Sequence, residues 1–292
     1  MRPRLNRWIV ALLAVAICAP VGAIHAAGPP HSIVLPPVLV AEAPATLAVL
    51  DSTGHLVPGA GVALSDGRAI KTDATGRARF VVPGRAGELS AQIPGGSIAA
   101  TAPIEVRPPA AEIQVTDFPA VIDARDQFTI SGARFAGDAD GNQVSLGGKA
   151  ALVLAASPAA LVLLPAPDTP LGPGELRVEG NGTAPAPMAV TVVSVEAINP
   201  AGPLRIGVAA TLIVRVSGTN QRLDLDLGNW TPGVIKMLGQ AGGAAAGGAA
   251  QSDPNVRRVR SSGGAENEAR IEIVPLAAGK FYVRARLAGR RP

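Results

Sequence analysis

The stretch "FTISGARFAGDADGNQVSLGG", residues 128–148, contains two apolar runs separated by Asp-Ala-Asp-Gly-Asn. Phe128 and Ile130 alternate with polar or small residues before this run, and Val144 and Leu146 do so after it. This alternation is typical of half-buried β-strands. Asp, Asn and Gly are the residues that tight turns require, because their side chains bond nearby backbone and Gly accepts positive φ. The stretch therefore predicts two strands joined by a surface turn.

The same polar run offers an alternative, a calcium loop, since Asp138, Asp140 and Asn142 bring side-chain oxygens together. A helix-loop-helix calcium site needs a bidentate acid at the twelfth position of its loop. Counted from Asp138, that position is Lys149, and the flanking segments are strand-like. The sequence favours a turn without a metal ion, and a calcium loop of another type stays open.

Short apolar runs of this kind continue in both directions from the opening stretch. The chain has 34 Gly and 27 Pro spread along it as turn residues, and only 3% aromatic residues. This composition predicts an all-β protein of sandwiches or barrels. The runs group into segments at 44–106, 113–193 and 194–292, with a Pro-rich lead-in at 27–43 and a stiff Pro linker at 107–112.

Segment 113–193 resembles an IPT/TIG domain, an Ig-like module, through "FTISGARFAGDADGNQVSLGGKAALVL", "LVLLPAP" and "LGPGELRV". The landmarks of this resemblance are Gly132, Phe135, Asn142, Gln143, Val144, Leu161, Leu163, Pro165, Gly172, Gly174, Arg177 and Val178. Segment 44–106 resembles bacterial Ig-like and carboxypeptidase-regulatory-like modules, through "GHLVPGAGVAL" and "TDATGRARF". These resemblances imply Ig-like β-sandwiches that serve as spacers, adhesin stalks or accessory modules beside enzymes.

The last segment has strand patterns of its own but resembles no family. "PLRIGVAATLIVRVSG" and "QRLDLDLGN" predict strands, and "EARIEIVPLAAGKFYVRARL" predicts a hairpin. A Gly/Ala-rich stretch at 239–253 has no side chains that could form a core, so it predicts a mobile loop inside this domain. The expected fold is three tandem Ig-like β-sandwich domains.

The first residues have the features of an export signal. A basic start precedes an apolar core at 8–19 and small residues follow, which predicts a cleaved signal peptide at 1–26. Export to the periplasm, the cell surface or the exterior follows, with no membrane span after cleavage. Cleavage removes three arginines and no acid, so the formal charge falls from +4 to +1. It also removes Cys18, the single cysteine. The low charge argues against a nucleic-acid partner.

Nothing in the sequence predicts catalysis, a cofactor or a metal site. After the signal the chain has two histidines, His31 in the lead-in and His55 in a turn, and both are expected to be exposed. Asp224 and Asp226 have a spacing that a glycosidase pair could use, about 7 Å along a strand. No apolar neighbour would raise the pKa of either carboxyl, so a solvated strand face is the interpretation that the sequence favours.

A ligand or partner surface is predicted in the last domain, from five residues. These are Trp230, Tyr282, Arg257, Arg258 and Arg260. The sequence favours alternatives without a binding role: Trp230 as a core residue, and the arginines at a solvated loop end. The predicted function is an exported, non-catalytic module for adhesion or partner binding. The alternative is a polysaccharide-associated module or an accessory subunit of an envelope enzyme, so the partner is a protein or a polysaccharide.

Overall fold

The computed structural model describes residues 28–96, 98–179, 185–200, 202–240, 253 and 255–289. Within these ranges the chain forms 23 β-strands and one short 3₁₀ helix. The predicted signal peptide and most of the Gly/Ala-rich loop lie outside the described residues. No helix in the described part is long and apolar enough to cross a membrane.

The first sandwich begins in the Pro-rich lead-in, which supplies two of its strands. The strands are β1 (Pro30–Val34), β2 (Leu39–Val40), β3 (Pro44–Asp51), β4 (Gly61–Leu64), β5 (Ala69–Lys71), β6 (Arg77–Val81), β7 (Gly87–Gln92) and β8 (Ala99–Glu105). One sheet contains β1, β3 and β6, and the other has the order β2-β8-β7-β4-β5. Leu39, Leu47 and Leu89 are among the buried side chains between the two sheets.

The second sandwich contains the opening stretch of the sequence. Its strands are β9 (Gln114–Asp117), β10 (Val121–Asp123), β11 (Phe128–Ala133), β12 (Gln143–Leu146), β13 (Lys149–Ala150), β14 (Leu152–Ser157), β15 (Ala160–Leu164), β16 (Gly172–Glu179) and β17 (Met188–Ile198). One sheet has the order β14-β15-β11-β9, and the other β13-β12-β16-β17 with β10 beside β17. Phe128, Ile130, Val144 and Leu146 are all buried in one core, which confirms the predicted alternation.

The third sandwich is formed by β18 (Ala210–Ser217), β19 (Asp224–Asn229), β20 (Ile235–Gln240), β21 (Val256–Arg260), β22 (Glu268–Pro275) and β23 (Val283–Leu287). One sheet has the order β17-β18-β22-β20, and the other β21-β19-β23. The predicted hairpin of β22 and β23 is therefore wrong, because the two strands lie in different sheets. Each strand buries one face, so the sequence pattern is the same whether the connection turns back or crosses the roughly 10 Å between sheets.

The prediction of an all-β fold of β-sandwiches is confirmed. Three hydrophobic clusters fill the three sandwiches, and a fourth lies between the first two. This fourth cluster consists of Val34, Ala48, Leu154, Ala155 and Val162. The first two sandwiches therefore share a buried apolar contact in addition to their own cores.

A single strand pairing joins the first two sandwiches into one sheet. Thr46 of β3 lies opposite Ala156 of β14, so the sheet continues from β1 through β3 and β14 to β9. Side-chain bonds support the pairing. The Ser157 hydroxyl donates to the Val38 carbonyl at 2.6 Å, and Arg77 donates to the Val153 carbonyl at 3.2 Å. β14, the edge strand of its own sheet, is thus covered by β3.

The Asp-Ala-Asp-Gly-Asn run forms the 3₁₀ helix Ala139–Gly141, as a turn between β11 and β12. The turn is confirmed, but it is not a free surface turn. Ala139 is only 2% exposed, and the Thr46 hydroxyl donates to the Gly137 carbonyl at 2.7 Å while accepting from the Ala139 N–H at 3.2 Å. A Cβ at Gly137 would lie 1.9 Å from the Pro44 carbonyl oxygen. Glycine therefore permits the close approach of the first sandwich.

The second junction is a strand shared by two sandwiches. Residues 188–192 of β17 pair with β16, and residues 194–198 of the same strand pair with β18. Because β17 runs without a break through both sandwiches, it fixes the third to the second. The first junction is therefore a strand pairing, and the second is a continuous strand.

Candidate functional site

The outer face of the sheet β21-β19-β23 brings together most of the residues that the sequence singled out. Residues two apart on a strand share a face. This face carries Asp224, Asp226, Gly228 and Trp230, next to Arg258 and Arg260 on one side and Tyr282, Arg284 and Arg286 on the other. The opposite face presents Leu225 and Leu227 to the core. The outer face therefore combines aromatic side chains with four arginines.

Two of these arginines are paired with the carboxylates that the sequence considered for glycosidase chemistry. Arg260 lies 2.6 Å from Asp224, and Arg258 lies 2.9 Å from Asp226. Hydrogen bonding from Arg260 holds the pKa of the Asp224 carboxyl below its usual value. A general acid needs a raised pKa, so this geometry does not suit acid catalysis.

The expected solvated loop end is wrong for the arginines, because Val256–Arg260 is a strand. The structure also places the three predicted arginines on different faces of this strand. Arg257 lies opposite Leu227 in the register, on the other face from Arg258 and Arg260, and donates to the Val256 carbonyl at 3.2 Å. The cross-strand pairs join residues more than 30 positions apart, with the Gly/Ala-rich stretch between them, so no local pattern announced them.

Trp230 is not a core residue, which corrects the interpretation that the sequence favoured. Its side chain is 53% exposed, and that of Tyr282 is 61% exposed. The backbone N–H of Trp230 donates to the Tyr282 carbonyl at 3.0 Å, so the two aromatic residues are cross-strand neighbours. A Cβ at Gly228 would lie 3.3 Å from the indole nitrogen. The indole therefore lies back over Gly228, along the outer face.

His31 contacts this aromatic residue from another sandwich. Its ring stacks on that of Trp230, with centroids 6.1 Å apart and planes at 29°. This spacing belongs to offset aromatic pairs. His31 lies on β1, and the sequence predicted only exposure for it. No sequence pattern connects a histidine of the lead-in to a tryptophan of the last sandwich, so only the fold reveals the pair.

The stacked pair lies in a cleft where all three sandwiches meet, which we call the three-sandwich cleft. Its volume is about 580 Å³, within the range of small-ligand sites. The first sandwich contributes residues 31–34 and 50–54, the second contributes 125–127, Leu154 and Leu164, and the third contributes 228–230, 253, 255–256, Arg284 and Arg286. The cleft exists only because both junctions hold the sandwiches against one another.

The acidic residues of the cleft are already engaged. The Thr53 hydroxyl, together with backbone N–H groups, holds the pKa of Asp51 well below its ordinary range. Asp126 accepts from Arg284 at 3.0 Å, and Asp253 accepts from the backbone N–H of Asn255 at 2.8 Å. These carboxylates are therefore committed to turns or to an ion pair.

Arg286 differs from the other charged residues of the cleft. Its side chain is half-buried, and among the described residues it has no hydrogen-bond or ion-pair partner. Asp226, opposite it on β19, is held by two bonds from Arg258, at 2.9 and 3.3 Å. In the same wall, the Gln127 Oε1 is buried without a hydrogen-bond partner. The cleft therefore offers an uncommitted cation beside an aromatic surface.

The arrangement of arginines and aromatic side chains described above is suited to binding a partner and not to holding a metal ion. Within the described residues, no group of three or more His, Cys, Asp or Glu side chains is placed to hold a metal ion. Asp138 and Asp140 of the turn face Arg79 and Arg77, at 2.9 and 2.6 Å. A calcium ion there would have to displace two arginines.

Comparison with known proteins gives no family. No family model matches the chain, and no curated protein matches its sequence. Among solved structures it is similar to the plexin A4 extracellular region, with 12% identity and a TM-score of 0.31 over 85% of this chain and 21% of that one. It is also similar to the Bacteroides ovatus mixed-linkage glucan utilization locus protein SGBP-B in complex with a mixed-linkage heptasaccharide, with 12% identity and a TM-score of 0.30 over 82% and 70%. Chicken CNTN1 domains FN1–FN3 have 11% identity and a TM-score of 0.23 over 89% and 99%. The chain thus spans about a fifth of the plexin structure, and likenesses with TM-scores this low support no conclusion about family or function.

Proposed function

We propose that this chain is an exported, non-catalytic interaction module that recognises its partner in the three-sandwich cleft. The observation that carries the proposal is the cleft itself, which is bounded by residues of all three sandwiches. Export rests on the N-terminal sequence pattern, and the periplasm, the cell surface and the exterior are the compartments it allows.

The junctions support this function because they hold the walls of the cleft in place before any partner arrives. β3 pairs with β14, and β17 belongs to two sandwiches. A site that is organised in advance loses less conformational entropy on binding than one that must be assembled. We therefore take the three sandwiches to act as one binding unit. We assign them the limits 44–106, 113–193 and 194–292, with the first extended to residue 30 by its lead-in strands.

Binding is favoured over catalysis by the state of the polar groups. The carboxylates of the cleft are engaged in turns and ion pairs, and Asp224 and Asp226 on the same sheet are paired with Arg260 and Arg258. The resemblances of the first two segments to carboxypeptidase-regulatory-like and IPT/TIG modules point the same way, as families of spacers and accessory modules.

A second, narrower function is favoured by one feature, the His31–Trp230 stack. Aromatic rings present flat apolar surfaces beside polar groups, the combination that sugar rings fit. A polysaccharide-associated module would use this surface directly. A pure spacer would have no need of an exposed tryptophan in a cleft.

The proposal is tested by capture from envelope extract of the source cells. A chain of residues 28–292 is immobilised beside the double variant Trp230→Ala/Arg286→Ala and the control Arg215→Ala. Arg215 is exposed and pairs with Glu268 at 2.9 Å, outside the three-sandwich cleft. We expect the wild type and the control to retain the same envelope component and the double variant to lose it. Equal capture by all three would contradict recognition in the cleft.

A further inference from the structure

We propose that the three-sandwich cleft binds an acidic oligosaccharide, with its anionic group on Arg286 and a sugar ring on Trp230. This inference rests on the proposed function and names the ligand of the same site. It is carried by the combination, in one cleft, of an uncommitted guanidinium, an exposed indole and free hydroxyl groups.

The guanidinium supplies the anion specificity. Arg286 is half-buried, and no described residue offers its side chain an acceptor. None of its nitrogens is buried without a partner, so water reaches the guanidinium and an anionic ligand can displace that water. A carboxylate or sulfate supplies the missing acceptors, and an arginine can hold a carboxylate by two parallel bonds.

Asp226 does not fill this role. It is the residue directly opposite Arg286 on β19, yet both of its oxygens accept from Arg258 on the other neighbouring strand. The Arg258–Asp226 pair therefore neutralises itself and leaves the charge of Arg286 without a counterion among the described residues. The ligand would complete a line of alternating charge across the three strands.

The aromatic surface supplies the sugar contact. The indole of Trp230 lies over Gly228, which is two residues along β19 from the Asp226–Arg286 pair. Two residues of strand correspond to about 7 Å. A ligand that reaches both groups must extend past a single anionic group, as a sugar ring with its substituent or two linked sugars do.

The first sandwich supplies polar contacts across the cleft. The hydroxyl groups of Ser32 and Ser52 line it, and neither has a hydrogen-bond partner among the residues that the structure describes. Hydroxyls act as donor and acceptor at once, so they match the hydroxyls of a sugar. Arg125 also lines the cleft, where it forms a loose pair with Glu196 at 3.6 Å.

The ligand probes are matched so that charge is the variable. Oligogalacturonate is compared with its fully methyl-esterified form, which has the same sugar backbone without the charge, and with a sulfated oligosaccharide of similar length. Single-stranded oligothymidylate serves as an anion without sugar-ring stacking of this type. Trp230 is the single tryptophan after residue 27, so its fluorescence reports the cleft alone, and calorimetry supplies the affinity.

We expect binding of oligogalacturonate, of the sulfated chain, or of both, with a change in Trp230 fluorescence and at least tenfold weaker binding of the ester. Arg286→Gln should lose at least tenfold in affinity, Arg286→Lys should retain part of it, and Arg215→Gln should match the wild type. Ser52→Glu places a carboxylate at an exposed position of the cleft and should also weaken binding. It keeps the test decisive if the arginine variants fold poorly.

Three outcomes would overturn the inference: equal affinity for the acid and its ester, no binding of any acidic oligosaccharide, or equal binding of oligothymidylate. If no acidic oligosaccharide binds but envelope capture still depends on the cleft, the ligand class is wrong and the proposed function stands. If neither depends on the cleft, both fail.

Discussion

The junction between the first two sandwiches depends on one buried hydroxyl, and its removal is the sharpest perturbation that the structure offers. Thr46 is 1% exposed, and its hydroxyl bonds the Gly137 carbonyl at 2.7 Å and the Ala139 N–H at 3.2 Å. Thr46→Val keeps the shape but leaves both backbone groups without this partner. Each unpaired buried group costs about 1–3 kcal/mol, so for the two groups we expect a loss of about 2–6 kcal/mol in unfolding free energy. For a chain of this size the melting temperature should fall by about 4–24 °C.

The assay is thermal and urea unfolding of residues 28–292, with two controls. Thr46→Ser keeps the hydroxyl and loses one methyl group, which costs about 1 kcal/mol. Thr72→Val removes a similar hydroxyl bridge inside the first sandwich, where Thr72 bonds Ala60 at 2.8 Å and Val57 at 2.7 Å. We expect Thr46→Val and Thr72→Val to cost similar amounts. If Thr46→Val behaves like Thr46→Ser while Thr72→Val shows its full loss, the junction is not closed in solution and the reasoning is refuted.

Three further predictions concern other parts of the chain. The pKa of Asp51 is lowered in the folded chain, so its contribution to stability is complete above about pH 4 and is lost as the pH falls through the lowered pKa. Asp51→Asn should therefore have a lower melting temperature than the wild type at pH 7. A difference in melting temperature that stays constant on acidification would contradict this. Calcium should leave the melting temperature unchanged, because Asp138 and Asp140 are paired with arginines; a calcium-dependent rise that both Asp→Ala changes abolish would show a metal site. Protease should cut between β20 and β21, at residues 241–255, and leave fragments that co-elute, since the two strands share one core. Separation of the fragments without denaturant would exclude that core.

The strands β3, β14 and β15 are buried on both faces. Local alternation predicted most of the other strands well, because a strand that buries one face shows the pattern whatever its partner. Phe128, Ile130, Val144 and Leu146 are examples. The turn between them was also predictable, since Asp and Gly residues have a local reason to be there. What the sequence did not announce is the pairing between sandwiches. The apolar runs of β3 and β14 are consistent with burial on both faces, but they do not show which strand covers which, and the buried Thr46 reads as an ordinary strand residue.

One feature of the site was available in the sequence. In "DLDLGNW", Trp230 has the same parity as Asp224 and Asp226, so strict alternation places it on their polar face. The general expectation that a large aromatic side chain packs in the core of a β-sandwich favoured the other interpretation. The partners Arg286 and His31 had no such signal, because one depends on cross-strand register and the other on contact between the first and third sandwiches.

The measurement that tests the joined arrangement most directly is a disulfide across the first junction. Thr46 and Ala156 lie opposite each other in the antiparallel pairing of β3 and β14, where Cα atoms are about 4.5–5.5 Å apart. That distance lies within the range of about 4.4–6.8 Å that disulfides need. Residues 28–292 contain no native cysteine, so the double variant Thr46→Cys/Ala156→Cys has two thiols.

Mild oxidation of the folded double variant should form the bond in nearly every molecule, as mass and thiol titration report. The control Thr46→Cys/Ala150→Cys places its second thiol on β13, at an exposed position in the other sheet of the second sandwich, and should stay reduced. Two free thiols in the folded Thr46→Cys/Ala156→Cys variant would mean that the sandwiches are not joined by the sheet. The three-sandwich cleft would then not exist as a fixed site.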